Sequence, residues 1–305
     1  MDWQPTRTNR KDTTMMMRKF AAALTAAALA VAGVLAAHAP AHAEEDIKTT
    51  GHSEIRVMSY NIHHGASGED VLDLERIAQE IEATGARLVG LQEVDRHWSA
   101  RSNYQDQAAW LAERLDMHYV FAANLDLDPE PGRTERRQYG TAVLSKYPIL
   151  SSENHLLTNI QYAEKPTEQR GLLETVINVA GNHISFYNTH LDHRRSEQRQ
   201  LQVKEMMAIT AESHRPSLLV GDLNAVPESI EMQQLMTRFH DVFAALGQSS
   251  DYTMPVENPT RRIDYILSEG EIEPRFAEVI NTAASDHLPI VADVSVAQKP
   301  NGQMR

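Results

Sequence analysis

The sequence predicts a single α/β domain in which two layers of β-sheet are covered by helices. Short apolar runs alternate along the chain with stretches whose apolar residues recur at helical spacing. No internal repeat and no long linker divides the chain, and 305 residues with 42% hydrophobic content suffice for a sizeable core. Strands and helices mixed in this way build layered sheet and helix architectures.

The elements follow from the periodicity, taken in order along the chain. Leu74, Ile77, Ala78 and Ile81 recur at helical spacing before Gly85, a suitable helix end. A polar loop with two prolines is expected from 126 to 137. The predicted strands are Arg56–Tyr60, Leu88–Leu91, Tyr119–Ala122, Thr141–Ser145, Leu172–Val179, His183–Thr189, Ser217–Gly221, Ile263–Leu267 and Leu288–Val294. The predicted helices are Leu74–Thr84, Tyr104–Leu115, Ser196–Ala211 and Ile230–Met236.

Residues 1–43 have the layout of a secretory signal peptide. Arg18 and Lys19 precede an apolar stretch rich in Ala and Leu, and Ala41-His42-Ala43 supplies small residues for cleavage. This layout predicts a secreted or periplasmic protein with no transmembrane segment in its mature form. A membrane anchor is the alternative, since the apolar stretch is just long enough to cross a bilayer. After the signal peptide we predict a connector (44–53), the α/β domain (54–297) and a tail (298–305). Translation could also begin at Met15, Met16 or Met17 rather than at Met1.

Composition excludes several kinds of site. The chain has no cysteine, which rules out disulfides, thiolate metal sites and cysteine nucleophiles. Its net charge is −13, and it becomes −16 without the five basic and two acidic residues of the first 43 positions. A broad nucleic-acid-binding face is not expected from this acidic balance, and a monomer is expected.

Polar residues cluster at the ends of the predicted strands. Six segments carry Asn, Asp, Glu or His at or beside the edge of an apolar run. They are Asn61 in SYNIHHG, Glu93 in LVGLQEVD, His190 and Asp192 in NTHLDH, Asp222 and Asn224 after SLLVG, Asp264 in RRIDYIL, and Asp286-His287 before LPIVADV. Side chains from several strand ends converge on one rim of a sheet, where ligands bind.

Each of these residues alone has a plainer interpretation. Asn61 is typical of a turn, Glu93 of a solvated side chain, and the Asp222–Asn224 pair of an Asx-turn. Their combination favours a site for a hard cation with oxygen ligands, Mg²⁺ or Mn²⁺ with Ca²⁺ as an alternative. The sequence leaves open whether His63 or His64 faces this site. No P-loop, GxGxxG, GxSxG or HExxH motif supports another chemistry.

Seven motifs, in this order, resemble the endonuclease/exonuclease/phosphatase superfamily, which includes DNase I-like nucleases and inositol polyphosphate 5-phosphatases. The motifs are SYNIHHG, LQEVD, YGTAVLSKYPI, NTHLDH, GDLNAVP, RIDYIL and SDHLPIVADV, and they cover residues from about 56 to 294. The resemblance implies a DNase I-like, four-layered α/β sandwich, with two packed mixed β-sheets flanked by helices. It also implies metal-dependent hydrolysis of a phosphoester substrate by in-line attack of water.

The resemblance assigns roles residue by residue. Glu93, helped by Asn61, and Asp286 are implied as metal ligands. Asp222 is implied to position the attacking water, and Asn224 to hold that water or a phosphate oxygen. The remaining implied residues are His287 as the active-site histidine, Asp264 as its orienting partner, His190 as a contact to the scissile phosphate and Arg170 as a phosphate-neutralising cation.

The substrate stays open at this point. A small, non-nucleic-acid phosphoester fits the acidic balance, and a secreted nuclease is the main alternative. A nuclease would need a basic groove, for which Arg133, Arg136, Arg137, Arg194, Arg195 and Arg199 are the available residues. A non-catalytic module that binds a phosphorylated partner is a weaker alternative, because Glu93, Asp222 and His287 are all present.

Overall fold

The computed structural model describes residues 51–249 and 251–297. The strands are β1 (His52–Asn61), β2 (Leu88–Arg96), β3 (His118–Leu127), β4 (Arg137–Ser145), β5 (Ile149–Leu156), β6 (Gly171–Val179), β7 (Asn182–His190), β8 (Ser217–Asp222), β9 (His240–Asp241), β10 (Asp264–Glu269), β11 (Ile272–Val279) and β12 (Ile290–Ala297). The helices are α1 (Leu74–Thr84), α2 (Gln107–Leu115), α3 (Ser196–Ala211), α4 (Ile230–Leu235) and α5 (Val242–Ala245), with 3₁₀ turns at His63–Gly65 and Ala100–Ser102. The predicted signal peptide (1–43), most of the connector and the tail (298–305) lie outside the described residues.

The strands form two six-stranded mixed sheets. The first has the order β11-β12-β1-β2-β4-β3, and the second has the order β5-β6-β7-β8-β10-β9. In the first sheet β1 and β2 are parallel neighbours joined through α1, and in the second β7 and β8 are parallel neighbours joined through α3. All other neighbouring pairs are antiparallel.

The layers follow from the alternation of side chains along each central strand. Inward-facing residues of both sheets, such as Val57 and Val220, form one shared core. Outward-facing residues of the first sheet pack with α1 and α2, for example Val89 with Ile77 and Leu111. Those of the second sheet pack with α3 and α4. The predicted four-layered sandwich is therefore confirmed.

The secondary-structure predictions hold best where residues are buried. The bounds of α1 and α3 are as predicted, and Gly85 ends α1 with φ +68°. Helix α2 begins at Gln107 rather than Tyr104, because the Asp106 carboxylate accepts a hydrogen bond from Ala109 N (3.1 Å) and caps it. The loop predicted from 126 to 137 is shorter, since its ends belong to β3 and β4.

Strands β5, β9 and β11 and helix α5 were not predicted from the sequence. Strands β5, β9 and β11 lie at sheet edges, where much of the surface meets solvent and the apolar alternation is weak. Within the described residues, the helices are all too short or too polar to cross a bilayer.

Candidate active site

The parallel strands bring the predicted residues to one edge of the sandwich. Asn61 ends β1 and pairs in register with Gln92, the residue before Glu93 of β2. His190 and Asp222 end β7 and β8 and are paired in register. Strand β10 is antiparallel to β8, so its first residue, Asp264, pairs with Asp222.

The segment before β12 reaches the same edge. Because β12 is antiparallel to β1, the residues that precede β12 lie beside the carboxyl end of β1. The Ser285 hydroxyl donates to the carbonyl oxygen of Asn61 at 2.7 Å and anchors this segment. Asp286 and His287 are thereby brought to the site from the far end of the sequence.

Glu93 is presented by a β-bulge. The register between β2 and β4 shifts between Leu91 and Val94, and Glu93 itself has φ +58°. A bulge of this kind redirects a side chain, and bulges are frequent next to active sites. The half-buried Glu93 side chain thus turns to the cleft while its neighbours on β2 stay in the core.

The bulge is held by the opposite sheet. Asn188 of β7 donates its amide hydrogens to the carbonyl oxygens of Leu91 (2.9 Å) and Ala142 (2.8 Å). Gln92 in turn donates to the Asn188 amide oxygen at 2.7 Å. These buried groups satisfy one another across the interface between the sheets, which fixes the position of the bulge.

Asn61 connects two acidic side chains. Its amide nitrogen donates to Glu93 Oε1 (3.0 Å) and to Asp222 Oδ2 (3.1 Å), and its amide oxygen accepts from the His63 backbone N–H (3.1 Å). Burial opposes ionisation of Glu93, but the Asn61 hydrogen bond and the Arg170 charge outweigh it and lower its pKa. Glu93 is therefore a carboxylate at neutral pH.

His287 lies between two carboxylates. Its Nδ1 is 3.0 Å from Asp264 Oδ2, and its Nε2 is 3.7 Å from Asp222 Oδ2. Burial alone would lower the pKa of His287, but the charges of Asp264 and Asp222 raise it to about 10. Burial raises the pKa of Asp222 to about 7 against the opposing charge of His287. The trio of Asp222, Asp264 and His287 thus holds an imidazolium beside a carboxyl group, that of Asp222, which ionises near neutral pH.

His190 is fixed as a neutral hydrogen-bond donor. Arg170 Nη1 lies 2.8 Å from His190 Nδ1, and a guanidinium can only donate. Nδ1 is therefore the acceptor, and the neutral ring carries its hydrogen on Nε2, which lies 3.4 Å from Asp222 Oδ2. Burial, reinforced by the Arg170 charge, holds the pKa of His190 well below its usual range.

Arg170 is itself held by acidic and imidazole groups. Its Nη1 is 2.8 Å from Glu168 Oε1, and its Nη2 is 3.4 Å from His193 Nδ1. The side chain is 3% exposed, so its charge acts at short range within the site. It contacts His190 directly, which the sequence did not indicate.

The Asp222–Asn224 pair forms an Asx-turn and also lies at the cleft. The Asn224 N–H donates to Asp222 Oδ1 at 2.9 Å, which is an Asx-turn, and Asn224 has φ +50°. Both residues also border a cleft of about 450 Å³, a size typical of small-ligand sites. Of the predicted residues, Glu93, Arg170, His190, Asp222, Asn224, Asp286 and His287 line this cleft, and Asn61 and Asp264 contact them from behind.

Several residues of the cleft were not found from the sequence. Trp98, Tyr139 and Arg101 form one wall, with the Arg101 guanidinium 5.5 Å from the centroid of each ring. The remaining additions are Leu125, Glu168, His193, Met254 and Arg261. Most lie in loops with no periodic signal. Asp192, grouped with the strand-end residues, instead accepts from the N–H groups of Arg194 and Arg195 at the start of α3.

The donor set fits a divalent cation. Glu93 and Asp286 border the same cleft, and an ionised carboxylate beside a second acidic group and an amide is a typical oxygen donor set for Mg²⁺ or Mn²⁺. Two groups of side chains also place ligand atoms within 4.8 Å of one another. These are His63, His64 and Glu93, and Asp222, Asp264 and His287.

Comparison with known proteins agrees with this architecture. Residues 58–287 match the Endonuclease/Exonuclease/phosphatase family. A crystal structure of such a protein from Beutenbergia cavernae has a TM-score of 0.65 and 25% identity, covering 82% of this chain and 73% of that one. The mannosyl-6-phosphatase Bt3783 of Bacteroides thetaiotaomicron has a TM-score of 0.61 and 18% identity, covering 79% and 99% of the two chains.

One curated relative is Protein cwh43 of Schizosaccharomyces pombe, 28% identical over 186 residues. The match spans 60% of this chain but only 17% of that relative's length. The family match extends over most of the chain and includes every predicted site residue. The chain therefore belongs to the endonuclease/exonuclease/phosphatase family, whose members hydrolyse phosphoester bonds.

Proposed function

We propose that this protein is an exported, monomeric, divalent-metal-dependent phosphoester hydrolase that acts on small phosphoesters other than nucleic acids. The observation that carries the proposal is the convergence of Glu93, His190, Asp222 and His287 on one cleft, with a carboxyl group of pKa about 7 beside an imidazolium. A carboxyl group that ionises near neutral pH, beside a histidine that keeps its proton there, is suited to proton transfer at neutral pH.

Each residue has a separate role in the in-line displacement at phosphorus. Asp222, ionised above pH 7, accepts a proton from the attacking water, and Asn224 holds that water or a phosphate oxygen. The His190 Nε2–H donates to an oxygen of the phosphoryl group as charge develops there. The His287 imidazolium, oriented by Asp264, supplies positive charge and a proton to the leaving oxygen.

Glu93 and Asp286, with Asn61, are the residues that would hold the cation. When bound, it would neutralise charge on the phosphoryl oxygens and orient the attacking water. The Asn61 amide oxygen accepts from the His63 N–H and has a second lone pair, so it could bind the ion without losing that hydrogen bond.

Charge distribution supports a small substrate over a nucleic acid. Arg136 is paired with Asp126 (2.6 Å) and Asp128 (2.9 Å), and Arg199 is paired with Glu231 (2.6 Å). The arginines available for a basic groove are thus partly neutralised by acids of the same surface. The cleft also has a volume of only about 450 Å³, and its Trp98 wall would suit an organic group attached to phosphate.

The first experiment measures Mg²⁺- and Mn²⁺-dependent hydrolysis of bis-p-nitrophenyl phosphate. Glu93→Ala and His287→Ala are each expected to lower kcat/KM by on the order of a hundredfold or more. The matched controls are Glu113→Ala on the exposed face of α2 and His183→Ala at the distant end of β7. Rates unchanged in both site variants would overturn the mechanism.

The second experiment compares substrates with the same purified protein. DNA, RNA, sphingomyelin and phosphomonoesters are assayed side by side with a metal series. We expect the highest kcat/KM on a small phosphoester. A preference for DNA or RNA would establish the nuclease alternative, and binding without turnover of any substrate would favour a non-catalytic module.

A further inference from the structure

Two histidines next to Asn61 have no part in the proposed mechanism. We propose that His63, His64 and Glu93 form a second metal site, selective for an imidazole-binding ion of the Zn²⁺ or Co²⁺ class. This inference rests on the proposed function in one respect, since Glu93 would be shared with the cation held by Asp286. The two sites differ in donor chemistry, and they can therefore be tested separately.

The distances bring three ligand atoms together. One ring nitrogen of His63, one of His64 and one carboxylate oxygen of Glu93 all lie within 4.8 Å of one another. In a tetrahedral site with metal–ligand distances near 2.0 Å, ligand atoms are roughly 3.3 Å apart. Small side-chain rotations would close the remaining gap.

The backbone at these histidines is unusual. His63, His64 and Gly65 have successive φ values of +45°, +47° and +78°, and residues other than glycine rarely adopt this region. The turn is fixed by Gln107, whose side-chain amide donates to the His64 carbonyl, and by Asp73 N–H, which donates to the Gly65 carbonyl at 2.9 Å. Strain of this kind concentrates at functional sites.

The strained turn places adjacent rings side by side. In a strand, consecutive side chains point to opposite faces, whereas here the two imidazole centroids are 4.4 Å apart with an interplanar angle of 61°. Glu93, also at positive φ, meets the same point from the neighbouring strand. The left-handed conformations thus bring both rings to one carboxylate.

One ring nitrogen of His63 has a free lone pair for a metal ion. His63 Nδ1 is 3.2 Å from the Ser67 carbonyl oxygen, which can only accept, so Nδ1 carries the hydrogen and Nε2 keeps a free lone pair. Metal-binding histidines commonly donate their other ring N–H to a backbone carbonyl in this way. The exposed Asp70 carboxylate lies 3.8 Å from His63 Nε2 but outside the group of three ligand atoms that lie within 4.8 Å of one another.

His64 offers the second imidazole. The residue is 7% exposed, and among the described residues no hydrogen bond to its ring nitrogens is found. These nitrogens are not among the buried atoms without a partner, so they reach the solvent and are open to an ion. Imidazole nitrogen suits Zn²⁺ and Co²⁺, whereas Mg²⁺ takes oxygen ligands. This difference in preference separates the two sites.

The test titrates the metal-depleted protein with Co²⁺, followed by visible absorption, and with Zn²⁺, followed by calorimetry. His63→Ala and His64→Ala are each expected to weaken binding tenfold or more, and His183→Ala to change it less than twofold. Glu93→Gln should weaken both Co²⁺ and Mg²⁺ binding, whereas Asp286→Asn should weaken Mg²⁺ binding alone. Unfolding temperatures show whether the buried His64 variant folds; if it does not, the half-buried His63 variant decides.

Co²⁺ and Zn²⁺ affinities within twofold of the parent in His63→Ala would overturn the proposal, as would a parent protein that binds neither ion. The Mg²⁺-dependent hydrolysis of the parent is measured in parallel. Its absence would remove the proposed function but would leave the Co²⁺ result unaffected, so the two failures are distinguishable.

Discussion

Replacing Arg170 by methionine is expected to slow hydrolysis by releasing His190. Methionine is an unbranched side chain that fills part of the space of arginine but cannot donate to Nδ1. A hydrogen bond with a charged partner contributes about 1.5 to 3 kcal/mol, which corresponds to roughly a 10- to 150-fold loss in kcat/KM if the bond holds the donor in place in the transition state. The Arg170–His190 distance of 2.8 Å is that of a well-formed bond of this type.

The assay combines kinetics with nitrogen NMR of the imidazole rings. In the parent protein the hydrogen of His190 should be on Nε2, and the ring should stay neutral well below pH 6.5, because burial and Arg170 both lower its pKa. In Arg170→Met the pKa should rise toward 6.5. Glu168→Gln is the matched control, because it removes the carboxylate charge beside Arg170 but leaves the bond to His190.

Two results would refute this reasoning. One is a kcat/KM of Arg170→Met within twofold of the parent. The other is a parent spectrum with the hydrogen of His190 on Nδ1, since that tautomer cannot accept from a guanidinium.

Three further predictions concern the trio of acidic and imidazole groups and the sheet. Asp264→Asn should lower kcat/KM by on the order of a hundredfold, because His287 loses the carboxylate charge beside its Nδ1; a pH–rate profile unchanged in height would contradict this. In the parent, kcat/KM should rise with pH up to about 7 as Asp222 ionises and then level off, and a pH–rate profile flat from 5 to 8 would exclude Asp222 as the base. Gly140→Ala should destabilise the fold by about 1 to 3 kcal/mol in denaturant titrations, because the new methyl carbon would lie 1.9 Å from a carbonyl oxygen of β3, whereas Gly68→Ala, with its nearest neighbours at 3.8 Å, should cost much less.

Sequence reasoning identified the central strands and the long helices because their apolar periodicity reflects burial. It did not identify β5 or β11. Most residues of β5 face solvent and are polar, and β11 contains Pro274 beside a register shift, which weakens the alternating pattern. Edge strands owe their conformation to a neighbouring strand more than to their own sequence.

The same reasoning explains which site residues were found. Glu93, at the bulge of β2, and Asp222, at the end of β8, each follow a run of apolar core residues, so a polar residue there contrasts with the run before it. Glu168 lies in an irregular segment and Arg101 in a short 3₁₀ turn, where charged residues are ordinary. Only tertiary packing places them beside the cleft. The bond between Arg170 and His190 likewise joins the residue before β6 to the end of β7, two strands whose register the sequence does not specify.

The topology has a consequence for the order in which the protein matures during synthesis. Strand β12 is made after the other five strands of its sheet, yet it occupies an interior position, pairing His52 with Ala297 at one end of β1. Until β12 inserts, the first sheet is split, and Asp286 and His287 are not anchored to the carbonyl oxygen of Asn61. A nascent chain would therefore carry most of its catalytic groups while remaining inert. The activity would switch on only when this last strand closes the gap.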